Sequence, residues 1–133
     1  MQRRPVRKTK PFIRVESHLE EALLPKLLAF CKQHSLPAPV RDKAFLPPTK
    51  LEFDFSWPAH RVAIEVNGGI DNRKKRGGHN SPTGLRRDYY KCNLAQIAGW
   101  ILLQFPPEYC NDDQQWPLAA RLIKAAFKDR PLV

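Results

Sequence analysis

Acidic residues are in short supply in this chain. Its 13 Asp and Glu stand against 23 Lys and Arg, for a formal net charge of +10. Such an excess favours a polyanionic partner through attraction and counterion release. A membrane surface would attract it as well, but long apolar runs are also missing. No segment approaches the roughly 18–20 apolar residues of a membrane-spanning helix. The Met1–Lys10 segment is basic and has no apolar run behind it, so it does not read as a secretory leader. Cysteine is scarce too. Cys31, Cys92 and Cys110 are odd in number and form no Cys-x-x-Cys pair. This argues against a zinc ribbon or a disulfide framework and points to a reducing, cytoplasmic setting. What remains is an ordinary globular composition, 42% hydrophobic and 27% charged, in 133 residues. That suffices for one domain with one core.

Residues 1–16 read as a flexible basic arm ahead of a single domain at 17–133. The arm holds Arg3, Arg4, Arg7, Lys8, Lys10 and Arg14. Ser17-His18-Leu19-Glu20 matches a capping box. Leu19, Leu23, Leu27, Phe30 and Cys31 recur at helical spacing, predicting a helix over about 18–34 with Pro25 in its second turn. Val40–Phe45 reads as a strand and Pro47-Pro48-Thr49 as a turn. The 68–84 stretch is rich in glycine and cations and reads as a surface loop. A second helix is expected over about 84–98, capped by Thr83 and ended by Gly99. Its apolar stripe would be Leu85, Tyr89, Leu94, Ile97 and Ala98. Trp100–Phe105 reads as a buried strand. A last helix over about 113–128 should pack Leu118, Leu122, Ile123, Ala126 and Phe127 on the sheet. The order is helix, three strands, helix, strand, helix: an α/β sandwich around a small mixed sheet.

The chemistry lies in two strands. Leu51–Trp57 alternates, with Phe53, Phe55 and Trp57 opposing Glu52, Asp54 and Ser56. Arg61–Asn67 alternates as well, with Val62, Ile64 and Val66 opposing Ala63, Glu65 and Asn67. With Ala59-His60 as a tight turn, Asp54 falls opposite Glu65. Directly opposed residues lie about 4.5–5.5 Å apart at Cβ. Two carboxylates so placed repel, and burial worsens the cost unless a cation satisfies them. Hard oxygen ligands suit Mg²⁺ or Mn²⁺ rather than zinc. A metal site on a basic scaffold points to an enzyme that cuts nucleic acid.

Three stretches carry a resemblance. They are Leu36-Pro-Ala-Pro-Val-Arg; Phe53-Asp-Phe-Ser-Trp-Pro with Ala63-Ile-Glu-Val-Asn-Gly-Gly; and Gly77-Gly-His through Arg87-Asp-Tyr-Tyr-Lys-Cys-Asn-Leu to Gly99-Trp-Ile-Leu-Leu-Gln-Phe. Their order resembles the PD-(D/E)XK nuclease superfamily, and more closely its very-short-patch-repair branch of small phage and bacterial endonucleases. The resemblance implies a restriction-endonuclease-like sandwich and Mg²⁺-dependent (or Mn²⁺-dependent) hydrolysis of DNA in a bacterial or phage-infected host cell. It implies that Asp54 and Glu65 hold the metal. A first-helix glutamate, Glu21 or Glu20, completes the shell, and Glu21 is the residue assigned. It also implies functional roles for His79 and Asp88, in a Glu–Asp–x–His–Asp pattern. The chain departs from the superfamily where Glu-x-Lys is expected, since Glu65-Val66 is followed by Asn67. Asn67 can orient a water but carries no charge, so Lys91 or Arg87 on the second helix, or His79, would take the lysine's part. Arg73, Lys74, Lys75, Arg76, Arg86 and Arg87 are the expected phosphate contacts. Two other readings compete: a non-catalytic DNA-binding domain that keeps the nuclease fold, and a small protein whose basic surface binds an acidic one. Monomer and homodimer both stay open.

Overall fold

The computed structural model describes residues 15–66, 82–128 and 130. The elements are α1 (Val15–Gln33), β1 (Val40–Ala44), β2 (Glu52–Trp57), β3 (Val62–Val66), α2 (Pro82–Ile97), β4 (Ile101–Phe105), α3 (Pro107–Asn111) and α4 (Trp116–Lys128). The strands form one sheet in the order β1-β2-β3-β4. The first three are antiparallel, and β4 lies parallel to β3. A parallel neighbour needs a crossover, which here includes α2. The class is α/β, with a small mixed sheet and helices on both faces.

The β2–β3 hairpin has the expected register. Phe55 pairs with Ile64, Ser56 with Ala63 and Trp57 with Val62, so the next position sets Asp54 opposite Glu65. The turn closes with the Arg61 amide donating to the Pro58 carbonyl at 3.2 Å. Arg61 takes the left-handed conformation, φ 57°. Gly99 ends α2 as expected. With φ 83°, it lets its own amide reach the Gln96 carbonyl while the Trp100 amide reaches Ala95.

Two cores sandwich the sheet. On one face α1, α3 and α4 bury Leu23, Leu27, Cys110, Ala119 and Ile123 against Phe55, Trp57, Ile64 and Phe105. On the other, α2 lays Ala95 and Ala98 over Ala63, Leu102, Trp100 and Phe53. Phe53 therefore does not share a core with Phe55 and Trp57, contrary to the simple alternation. Its ring stacks on Phe45 at 4.1 Å and meets Trp100 at 5.0 Å.

Several expectations need correction. Helix α1 begins at Val15, so Ser17 lies inside it rather than capping it, and Pro25 sits mid-helix. Thr83 likewise lies within α2. Pro107 opens the extra short helix α3, because proline is well tolerated at a first helical position. On α2 the assigned stripe holds at Ala98 but fails at two positions. Tyr89 and Ile97 are exposed, since Asp88, Lys91 and Cys92 take the inward positions. On α4, Leu118 and Leu122 are exposed, while Ala119, Ile123 and Ala126 face the core. No described helix is long and apolar enough to cross a membrane.

The α4 correction has a measurable consequence. Ile123→Ala should cost about 2–5 kcal/mol of unfolding free energy, as a buried side chain leaving a cavity. Leu122→Ala, one residue away, should change stability by about 0.5 kcal/mol or less. Urea denaturation of the two variants tests this.

Candidate active site

A cleft of about 310 Å³ opens where the hairpin strands part. Glu20, Asp42, Lys50, Glu52, Asp54, Glu65, Arg87, Asp88, Lys91, Cys92 and Gln104 bring charge or polarity to it, from both long flanking helices and every strand. Its shape follows from a local break in the sheet. The β2–β3 pairing ends at Phe55–Ile64. Beyond that point the two carboxylates replace the backbone ladder. The Val66 amide donates to Asp54 Oδ2 at 2.8 Å, and the Asp54 amide donates to Glu65 Oε1 at 3.3 Å. Each acid thus satisfies an amide that the opened ladder would leave unpaired.

Of the two α1 glutamates named from the sequence, Glu20 and not the assigned Glu21 lines the cleft. Glu21 is exposed, whereas Glu20 is buried at 3% exposure. Leu19, Leu23 and Leu27 fix the buried stripe, and this rotation turns Glu20 inward beside them. Arg41 holds it, with Nη2 donating to Glu20 Oε1 at 3.0 Å. The guanidinium also lies over the Phe55 ring, 4.8 Å from its centroid. The second oxygen, Glu20 Oε2, is buried without a hydrogen-bond partner among the described residues. Carboxylate oxygens of Glu20, Asp42 and Asp54 lie within 4.8 Å of one another. Asp42 was not singled out from the sequence. By register it stands opposite Asp54 across β1–β2, and it has φ 50°. The lone signal was an acid inside Val40–Phe45, a segment read only as a strand.

Lys91 reaches in from α2. It forms an ion pair with Glu65 and donates to the Glu52 carbonyl at 2.6 Å. Arg87 and Asp88 line the same cleft, and Gln104 stands beside Glu65 on β4. Arg86 is exposed and does not line it. The structure thus brings together Asp54, Glu65, Asp88, Lys91 and Arg87 of the expected set and adds Glu20 and Asp42. Asn67, His79 and Arg73–Arg76 lie outside the described residues, as does the arm up to Arg14.

The donor set fits a hard divalent cation. Carboxylate oxygens converge, and one buried oxygen lacks a partner. No family model, curated protein or solved structure matches the chain.

The electrostatics are strained in the direction that crowded acids predict. Burial, then the Asp54 carboxylate, push the Glu65 carboxyl up to about 8, although Lys91 pulls it down. Burial and Asp54 also raise Glu20, with Arg41 opposing. Burial raises the Cys92 thiol, aided by Glu65 and Asp88. For Glu65 the folded state keeps a proton that the unfolded chain loses near 4.5. Its contribution to stability is therefore complete below that pH and is lost as pH rises towards about 8. In EDTA, the unfolding free energy should decline across this window. Glu65→Gln should flatten much of the decline. A wild-type profile that rises between the same limits would contradict the assignment.

Proposed function

We propose that this protein is a metal-dependent endonuclease hydrolysing DNA phosphodiester bonds, built on a small restriction-endonuclease-like sheet. The observation that supports it most is buried Glu20, held by Arg41 through one oxygen, with its other oxygen unpartnered among the described residues and its carboxylate within 4.8 Å of those of Asp42 and Asp54. Glu20, Asp42 and Asp54, with Glu65 beside them, are the residues that would hold Mg²⁺ or Mn²⁺. When bound, such an ion polarises a scissile phosphate and lowers the pKa of a water.

The chain's own groups supply the rest. Arg41 fixes the rotamer of Glu20. Lys91, anchored by Glu65 and the Glu52 carbonyl, holds positive charge at the site. That charge would neutralise what develops on the phosphate. Arg87 would steer the backbone into the cleft, and Arg86 and Arg73–Arg76 would add phosphate contacts. His79 is the proposed base, with Asn67 orienting water and Asp88 orienting the histidine. A non-catalytic DNA-binding domain is the second reading. The uncharged Asn67 favours it.

The test is incubation with labelled duplex, single-stranded and branched DNA in Mg²⁺, Mn²⁺ or EDTA. Metal-dependent cleavage is expected. Asp54→Asn and Glu20→Gln should reduce it to background, whereas Glu21→Gln should cut like the wild type. Arg41→Met should weaken metal affinity or activity by about 10–100-fold, as loss of a group orienting a ligand does. Salt-sensitive DNA binding with no cleavage under any condition would leave the second reading in place.

A further inference from the structure

A second concave surface lies away from the acid cleft, between α1 and α4. One part, about 630 Å³, is lined by Lys26, His34, Trp116, Arg121 and Lys124 among others. An adjoining part, about 540 Å³, adds Leu36, Ala125, Phe127 and Lys128. The two share Phe30, His34, Arg121 and Lys124, so they form one groove. Among the described residues no carboxylate lines either part. Arg121, Lys124 and Lys128 recur at helical spacing on one face of α4 and are exposed. Among the described residues they form no ion pair, while Lys26 is tied to Asp113 at 2.7 Å.

We propose that this groove binds single-stranded nucleic acid. A row of unpaired cations along an apolar floor matches the two chemistries of a single strand: phosphates on its backbone and exposed base faces. A duplex presents only the first, because its bases are stacked inside. The chain's own basic segment, residues 1–14, is a poor occupant because it repeats the groove's charge. The occupant therefore comes from outside the chain. The idea rests on the proposed function only in expecting a nucleic-acid partner. It places a strand on the α1–α4 face in addition to the one in the cleft.

Fluorescence anisotropy of a labelled oligothymidylate, titrated against salt in EDTA, tests it without cleavage. Arg121→Gln/Lys124→Gln removes two groove cations, and Lys32→Gln/Lys43→Gln removes two exposed cations elsewhere. The groove pair should lower affinity and reduce the magnitude of the log K against log salt slope by about 1.4, at about 0.7 per single-strand phosphate contact. The control pair should leave the slope unchanged. Ala125→Asp, which puts a carboxylate on the groove at an exposed position, should also weaken binding. Equal losses from both pairs, or none from the groove pair, would overturn the proposal. So would polyglutamate bound as tightly as the oligonucleotide, which would make the groove an acidic-peptide site. Groove-dependent binding without metal-dependent cleavage would refute the nuclease reading and spare this one. Cleavage with groove-independent binding would do the reverse.

Discussion

Six acidic residues line one cleft, Glu20, Asp42, Asp54 and Glu65 among them, in a chain that has few acids. A pair of like charges 4 Å apart costs about 4 kcal/mol at an effective dielectric near 20. The surroundings are arranged to offset that cost. Arg41 sits against Glu20 and Lys91 against Glu65. The amides of Val66 and Asp54 donate to Asp54 and Glu65. The compensation is incomplete: Glu65 and Glu20 are both pushed up, and Glu20 Oε2 has no partner among the described residues. A buried oxygen without a partner is rare in stable folds unless something else satisfies it. That residue of unmet demand is the physical argument for a cation.

The rest of the architecture serves the gap. β3 lies between an antiparallel neighbour and a parallel one, so its far end meets β2, β4 and α2 together. Opening the β2–β3 ladder after Phe55 costs ladder bonds, which the two carboxylates replace. It also frees Phe53 to leave the α1 core and pack with Phe45 and Trp100 under α2. One local break thus explains both the cleft and the division of aromatic side chains between two cores. The small residues Ala95 and Ala98 let α2 approach the sheet closely, which brings Lys91 within reach of Glu65.

What was legible in the sequence was whatever depended on period and turn. Alternation and the short Pro58–Arg61 turn fixed the register that sets Asp54 against Glu65. Gly99 marked the end of α2 because a left-handed residue was needed there. What escaped depended on rotation about an axis. Apolarity alone put Tyr89 and Ile97 inward, but α2 must turn Lys91 and Cys92 towards the cleft, and a polar cleft inverts the usual rule for a buried stripe. Glu20 and Glu21 differ by about 100° around α1, a difference settled by which leucines seat in the core. Asp42 carried no pattern, since its neighbour Asp54 lies twelve residues away and meets it only across β1–β2. Each miss therefore concerned a direction that the partner surface decides.

The same distinction bears on Asn67, where the nuclease resemblance leads one to expect a lysine. A motif read along the chain treats Asn67 as the loss of a positive charge. The cleft needs that charge at a point in space, however, and Lys91 brings an ammonium to Glu65 from another element. Its stem is partly screened, with the ammonium passing 6.0 Å from the centroid of the Phe53 ring. The Glu52 carbonyl fixes its end. A cation delivered from a helix is constrained by the packing of Ala95 and Trp100 rather than by strand geometry. Its position therefore depends on the second core, and so on the opened ladder that released Phe53 into it. On the nuclease reading, Lys91 brings the charge that Asn67 lacks, and its position depends on the same second core that holds Phe53.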